Sequence, residues 1–380
     1  MGMFMLLPLV LIIYEIASLI LPLKMPLWGR LLFWIFLLIG ISKGFLFHRT
    51  PEGFELYELP YAATLLITFV FNFIIIAALI CLTKDIIFLA WKIFSRRPFP
   101  HFYAALFAFS VAFAAALFGT YEGLRLPDVN IQEVSIKNLG RGFDGMRIAM
   151  LVDIHADELT NYKAVQKIVD RTNALNPDLI LIPGDFVDGT VKARSKDLEP
   201  IKNLQAKFGV LGVTGNHEYY YDFHGWIKEF PKLGIKMLNN ENVVLTSGDA
   251  ELIIAGVPDI TGKMMGLTAP DIDLALKDVP QDAPVILMDH RPDAARENAK
   301  KNIALQVSGH THGGQIPIIY TLTKRANKGF VRGWYDIDLP DGQAGGMKLY
   351  VSPGTSQWNG FACRLFDPSE ITLFILRSEK

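Results

Sequence analysis

The sequence predicts a protein in two parts: an N-terminal all-α transmembrane bundle over residues 1–120 and an α/β domain over residues 146–380, joined by a connector over 121–145 that carries one strand. Three observations predict it. Apolar residues crowd into the first 120 positions, where they form four long runs. From Met146 onward, short β-rich runs alternate with helical patterns, the order expected of layered α/β packing. The chain of 380 residues exceeds what one ordinary domain needs, and the part from Met146 on is long enough for one.

The four apolar runs are Met3–Leu21, Leu31–Phe47, Tyr61–Leu82 and Phe102–Gly119. Each is close to the roughly 20 residues a helix needs to cross a hydrocarbon core. A signal peptide opens on positive charge, and no Lys or Arg precedes Lys24. Orientation follows from basic residues in the short loops. Lys24 and Arg30 mark the first loop; Lys84, Lys92, Arg96 and Arg97 mark the third; the second offsets Lys43 and Arg49 with Glu52, Glu55 and Glu58. Loops one and three are therefore expected in the cytoplasm, with both termini and the α/β domain outside. Glu15 and Asn72 sit at membrane depth, where hydrogen bonds within the bundle are the expectation and a proton or substrate path is the alternative. Asp85–Phe94 reads as a cytoplasmic extension or an interfacial helix. Cys81 lies in an apolar run far from Cys363, so no disulfide is expected between them.

In the second part, strands are expected at Val129–Lys137, Met146–Val152, Asp178–Ile182, Val210–Val213, Val243–Leu245, Leu252–Ala255, Val285–Met288, Ala304–Val307, Lys348–Val351 and Ile371–Leu376. Helical spacing covers Tyr162–Ala174, Ser195–Lys207, Asp222–Leu233 and Pro292–Lys301.

Polar residues collect at the ends of these strands. "VDIHAD" supplies Asp153 and His155; "PGDFVDG" supplies Asp185 and Asp188; "TGNHE" supplies Asn216, His217 and Glu218; "DHRP" supplies His290; "SGHTHGG" supplies His310 and His312. Sites in α/β proteins form at the carboxyl ends of strands. Oxygen and imidazole donors without thiolates suit two divalent ions such as Mn, Fe, Zn or a mixture. Paired ions can clamp the attacking and leaving oxygens of a phosphoryl displacement. Any one of these short motifs alone is a plausible turn; five in order at strand ends are not.

D-x-H, G-D-x-x-D, G-N-H-E, a lone His and G-H-x-H together make the chain resemble the calcineurin-like metallophosphoesterases. The likeness spans about Met146 to Leu376. "GHTHGGQ", "YVSPGTS" and "CRLFDPSEITLFIL" look most like the membrane-associated or exported bacterial branch. The resemblance implies two packed mixed β-sheets flanked by helices. It implies that Asp153, His155 and His312 hold one ion, that Asn216, His290 and His310 hold the other, and that Asp185 bridges them. It implies His217 as the catalytic group assisting the leaving oxygen, with Asp188 and Glu218 orienting the ligands.

Asp157 departs from the small residue common in relatives; it is expected to face solvent, with contact to substrate or metal as the alternative. The stretch Ile316–Met347, with Lys324, Arg325, Lys328, Arg332, Trp334 and Tyr335, is either a lid or membrane-facing loop or a solvated hairpin. Tyr219, Tyr220 and Tyr221 are expected to wall the site, with packing as the alternative.

The expected function is a membrane-anchored phosphoesterase, diesterase rather than monoesterase. Its expected partners are the lipid bilayer and a phosphate-ester substrate, lipid-linked or from the cell envelope. A formal charge of −1 argues against nucleic acid. The alternative is a non-catalytic metal-bound membrane receptor or scaffold, which predicts a broken ligand position; none is found.

Overall fold

A computed structural model describes residues 2–49, 54–56, 58–280, 282–338 and 346–379. The chain forms two compact units: Met1–His48, Leu56–Leu124 and Asn359–Leu365 make a helical unit, and Arg49–Glu55, Arg125–Trp358 and Phe366–Lys380 make an α/β unit. The boundary after the helices thus falls at Leu124, and a seven-residue segment near the C-terminus belongs with the helices.

In the helical unit, α1 (Gly2–Glu15) runs into a π turn at Ile16–Ile20 and a 3-10 turn at Leu21–Leu23. Then come α2 (Leu27–Phe45), α3 (Tyr61–Phe94) and α4 (His101–Leu124). The chain between α2 and α3, which is not wholly part of this unit, carries the short paired strands β1 (Phe47–Arg49) and β2 (Phe54–Leu56). Pro26, Pro60 and Pro100 lead into the last three helices, and each proline carbonyl accepts an early helical N–H, from Arg30, Thr64 and Ala104. A proline there costs no hydrogen bond, because the first amides of a helix lack partners anyway.

Among the described residues, three helices rather than four are long and apolar enough to cross a membrane: Leu27–Gly44, Tyr61–Phe94 and His101–Leu124; the first run contributes a shorter apolar helix, Leu9–Leu23. The 34 residues of α3 rise about 51 Å at 1.5 Å each, well beyond a hydrocarbon core of about 30 Å. Asp85–Phe94 is therefore a continuation of a spanning helix and not a separate one.

Packing in this unit uses small residues and rings. Ala105, Ala108, Ala112, Ala116 and Gly119 form a buried stripe on α4, the kind of surface that lets apolar helices approach where lipid is as greasy as protein. Phe73 is fully buried and meets Phe33, Phe36, Phe109 and Phe113 edge-on. Asn72 bonds inside the bundle, its Nδ2 donating to Thr120 Oγ1 at 2.9 Å and Ala362 O at 2.7 Å. Lys43 Nζ donates to Thr68 Oγ1 at 2.9 Å and Asn359 Oδ1 at 3.2 Å. These bonds give Asn359 Oδ1 and Ala362 O, which the segment Asn359–Leu365 brings among the helices, their partners. Cys81 and Cys363 are both free and buried here. Glu15 departs from expectation: it is fully buried, and neither carboxylate oxygen has a hydrogen-bond partner among the described residues.

The α/β unit holds β3 (Asp128–Ile136), β4 (Arg147–Met150), β5 (Leu179–Ile182), β6 (Val210–Gly212), β7 (Ile235–Met237), β8 (Glu241–Ser247), β9 (Ala250–Gly256), β10 (Val285–Met288), β11 (Leu305–Ser308), β12 (Gly333–Asp338), β13 (Gly346–Val351) and β14 (Glu370–Ser378). They form two six-stranded mixed sheets, ordered β3-β14-β4-β5-β6-β7 and β12-β13-β11-β10-β9-β8. Strands β4, β5 and β6 run parallel in one sheet, and β9, β10 and β11 run parallel in the other.

Alternation along the strands builds three layers of core. Ile148, Met150, Leu179 and Leu181 of the first sheet meet Ile254, Ile286, Met288, Leu305 and Val307 of the second in one cluster. The intervening Ala149, Ile180 and Ile182 join Val165, Ile168, Trp226 and Phe230 in a second cluster under the helices. Ile253, Ala255, Val285 and Leu287 do the same on the far face with Ala295 and Ala299. Burial on both faces explains why "LILI" and "VILM" are continuous apolar runs.

Some elements differ from the sequence reading. The helix expected at Ser195–Lys207 is Val191–Leu198, capped by Thr190, and Pro200 turns its continuation into a 3-10 segment, Glu199–Asn203. Asp222–Leu233 likewise splits into a helix at Phe223–Glu229 and a 3-10 turn at Phe230–Leu233, with Pro231 at the join. The stretch Ile316–Met347 is not one loop: it contains a helix, Pro317–Ala326, and then β12, which pairs antiparallel with β13; residues 339–345 lie outside the described residues.

Burying a polar group without a partner costs about 1–3 kcal/mol in proteins. Replacing Glu15 with Leu should therefore raise the apparent melting temperature of the detergent-solubilised full chain. A lower one would show that the carboxyl has a role in holding the bundle.

Candidate metal centre

Each expected donor follows a strand, and all converge. Asp153 and His155 follow β4; Asp185 and Asp188 follow β5; Asn216 and His217 follow β6; His290 follows β10; His310 and His312 follow β11. Three groups of side chains bring their donor atoms within 4.8 Å of one another: Asp153 with His155 and His312, Asp185 with His290 and His310, and His155 with Asp185 and His217. Asn216 joins the second group, its Oδ1 3.2 Å from His290 Nε2. The groups share Asp185 and His155 and so form one site.

The backbone is bent to achieve this. Asp153, His155, Asp185, His310 and His312 all have positive φ, between 46° and 69°. Side-chain-bearing residues rarely adopt that region. The turns also need close approach at Gly309, where a Cβ would lie 2.3 Å from Val152 and 2.7 Å from Asp153 Oδ2. The glycine of "SGH" is thus a spacer that lets the two sheets' loops meet.

Hydrogen bonds aim the imidazoles. His290 Nδ1 donates to Pro183 O at 2.8 Å, which turns Nε2 toward Asp185 Oδ2 at 3.2 Å. His155 Nδ1 bonds Asp188 Oδ1 at 2.9 Å, leaving Nε2 3.2 Å from His312 Nε2. The same Asp188 oxygen takes His217 Nδ1 at 2.6 Å. Glu218 accepts three backbone amides, from Asp185, Phe186 and Gly215, at 2.7–3.1 Å, and so ties the β5 loop to the β6 loop. The "YVSPGTS" loop buttresses Asp153: Thr355 pairs with Val152 through both its amide and its hydroxyl, and Ser356 N donates to Asp153 O.

Charge balance follows from this packing. Burial works against a charged His155, but Asp188 and then Asp185 overcome it and lift its pKa to about 9. Burial opposes His290 likewise, and Asp185 lifts it to about 10. In return, and against the pull of burial, His290 and His217 hold the Asp185 carboxyl well below the usual range, and His155 and His217 do so for Asp188. His310 goes the other way, to about 3, through burial and the positive charge of Arg291 and His290. Burial and the Asp185 charge raise Glu218 to about 7.

This donor set fits divalent ions: imidazole Nε2 atoms freed by bonds at Nδ1, carboxylates shared between groups, and no thiolate. The family likeness and these clusters point to a binuclear divalent site.

Other expectations divide. Tyr220 and Tyr221 stand 5.4 and 5.9 Å from the His217 ring, but Tyr219 stacks on Phe223 and bonds Thr214, so it is packing and not wall. Asp157 is buried, not solvent-facing; its Oδ1 accepts the amides of Leu159 and Thr160 and caps the turn after His155. Trp358, 5.8 Å from His217, carries no signal in the sequence, since only the folded loop brings it there. Arg291, paired with Asp259 at 2.7 Å, adds positive charge beside His310, and its adjacency to His290 is the available clue.

Comparison with known proteins agrees with the geometry. The family model described as calcineurin-like phosphoesterase matches residues 146–314. An uncharacterized metallophosphoesterase of Helicobacter pylori is 30% identical, covering 89% of this chain and 87% of its own length. One from Campylobacter jejuni is 33% identical over 68% of this chain and 65% of its own. A protein of Danio rerio named as a transmembrane protein with metallophosphoesterase domain is 29% identical over 73% of this chain and 63% of its own. The chain thus spans under two thirds of the length of these last two relatives, and its relatives are both bacterial and eukaryotic.

Ligation needs neutral imidazoles, whereas His155 and His290 hold their protons at neutral pH until an ion displaces them. Titrating Mn²⁺ calorimetrically into metal-free protein at neutral pH, in buffers of different ionisation enthalpy, should therefore release about one proton per ion, about two for the filled two-ion centre. Apparent affinity should rise with pH toward about 10, as His155 and then His290 lose their protons unaided. No net release would remove these two residues from the ligand set.

Proposed function

Because this chain belongs to the calcineurin-like metallophosphoesterase family, we propose that it is a membrane-anchored, metal-dependent phosphoesterase acting on a phosphodiester or pyrophosphate. The observation that carries this is the convergence of seven donors into one shared cluster with His217 at its edge. Asp153, His155 and His312 would hold one ion, Asn216, His290 and His310 the other, with Asp185 between them. When bound, the ions would supply Lewis acidity at the phosphoryl oxygens.

The chain's own groups do the rest. His217 is held through Nδ1 by Asp188, so Nε2 is the nitrogen that can keep a proton for the departing oxygen. Its side chain is 10% exposed, open enough to meet substrate and covered enough to stay oriented. Tyr220, Tyr221 and Trp358 flank it, and their apolar faces suit an organic leaving group. Asp188 positions both a ligand and this proton donor through one oxygen. A scaffold reading requires a missing donor, and all seven expected positions carry one.

The apolar helices and the relative named as a transmembrane protein support a membrane protein. The basic residues of the first and third loops favour an α/β unit outside the cytoplasm of a bacterial plasma membrane. This requires the first run to span as well. Gly2–Leu23 is helical throughout, and 22 residues at 1.5 Å reach about 33 Å.

Purified full-length protein should hydrolyse bis(p-nitrophenyl) phosphate with Mn²⁺ added and lose that activity on chelation. His217→Ala should keep the metals and slow turnover by roughly 10²–10⁴-fold, and Asp185→Asn should lower metal content. An unchanged rate in His217→Ala would strip that residue of its role.

A separate test addresses orientation. A reporter that fluoresces only in the cytoplasm, fused after Lys380, should stay dark; a bright signal would place the unit inside.

A further inference from the structure

Five residues after His312, the chain forms the helix Pro317–Ala326, "PIIYTLTKRA". None of its residues is buried. Ile318 is 48% exposed and Leu322 60% exposed, and at i and i+4 they share one face. Phe366, 68% exposed, lines a cavity of about 260 Å³ together with Gly313, Gly314, Tyr320 and Arg332. A ten-residue helix is marginal in water and ordinarily persists by burying an apolar face. Here that face is turned outward, next to the turn that carries a metal donor.

The charge beside it is one-sided. Lys324 and Arg325 close the helix, and Lys328 and Arg332 follow, all exposed. Against them stand Asp293, 3.9 Å from Lys328, and Asp367, paired with Arg332. An apolar stripe flanked by an excess of cations is the pattern of a helix lying in a lipid headgroup layer. The same cations would attract an anionic leaflet within a Debye length. A protein partner would more commonly meet an apolar core ringed by mixed polar groups.

We infer that Pro317–Ala326, with Lys328, Arg332 and Phe366, is a docking surface for an anionic bilayer, and that the site draws its phosphate ester from that layer. The second clause rests on the phosphoesterase reading; the first stands without it. The surface adjoins the turn that follows His312, since Gly313 and Gly314 line that cavity, and this adjacency is what ties the surface to the metal site.

The test uses the full-length chain reconstituted in phosphatidylcholine bilayers with and without phosphatidylglycerol. Leu322→Cys and Met264→Cys are each labelled with a polarity-sensitive fluorophore, the native Cys81 and Cys363 being fully buried. At 322 we expect a blue shift and quenching by spin-labelled lipid, stronger with phosphatidylglycerol and weakened by salt; at 264, which is 79% exposed, we expect a water-like probe. A water-like probe at 322 in both bilayers overturns the inference. So does a shift without lipid quenching but with crosslinking between chains, which would assign the face to a second copy.

Substrate delivery is read separately, with a long-chain alkyl p-nitrophenyl phosphodiester in the bilayer and its methyl analogue in solution. Leu322→Glu should slow the long-chain diester roughly tenfold and leave the methyl one unchanged. Equal loss on both, or on neither, overturns delivery from the layer. If the wild type turns over neither substrate, the phosphoesterase reading fails while the fluorescence still decides the surface.

Discussion

Five donor residues in left-handed backbone are the constraint on which the rest of the structure depends. Strain of this kind costs on the order of 1–3 kcal/mol per residue and persists only where the surroundings over-determine it. Here they do. His155 N bonds Asp185 O, Asp153 N bonds Gly184 O, and Ser356 N bonds Asp153 O, so each strained turn is pinned by another. Glu218 clamps the Asp185 turn to Gly215, and Asp157 caps the turn after His155. Residues with no place in the ligand set are buried here because they hold the ligands' backbone.

The same economy governs charge. Asp188 Oδ1 meets two imidazoles, one a candidate ligand and one the candidate proton donor. Removing that single oxygen would loosen metal binding and proton delivery together. His310 sits at the opposite limit, its pKa lowered by burial and by Arg291 and His290, while carboxylates raise His155 and His290 against the effect of burial. The site is a balanced lattice of opposite charges that divalent ions can enter by displacing protons.

Much of this is legible in the sequence. The ten expected strands all exist, and every expected donor follows one, because ligand motifs after apolar runs are local patterns. The features that escape a sequence reading are not local. The three residues of β7, Ile235–Met237, are too few to show a period. The helix Pro317–Ala326 carries an apolar stripe that packs into no core, so its stretch reads in the sequence as a loop or hairpin. Asp157 is expected at the surface because residue type favours exposure for Asp, and only the folded turn gives its carboxylate two amides to accept. Trp358 reaches His217 through a loop whose path the sequence does not encode locally. Asn72 finds its hydrogen bonds as expected, yet Ala362, one of its partners, lies 290 positions away.

The donors come from both sheets, which gives the central core a second task. Asp153, His155, Asp185, Asn216 and His217 extend from β4, β5 and β6, while His290, His310 and His312 extend from β10 and β11. Nothing in either sheet alone completes a two-ion cluster. The layer that fixes one sheet against the other is the cluster of Met150, Leu181, Ile254, Met288 and Val307. Interiors are packed as densely as crystals and transmit displacement, and metal donors tolerate shifts of only about 0.2 Å. Side-chain volume in that layer therefore sets donor separation across the site, so the apolar alternation that makes the chain fold is also what makes its polar loops meet.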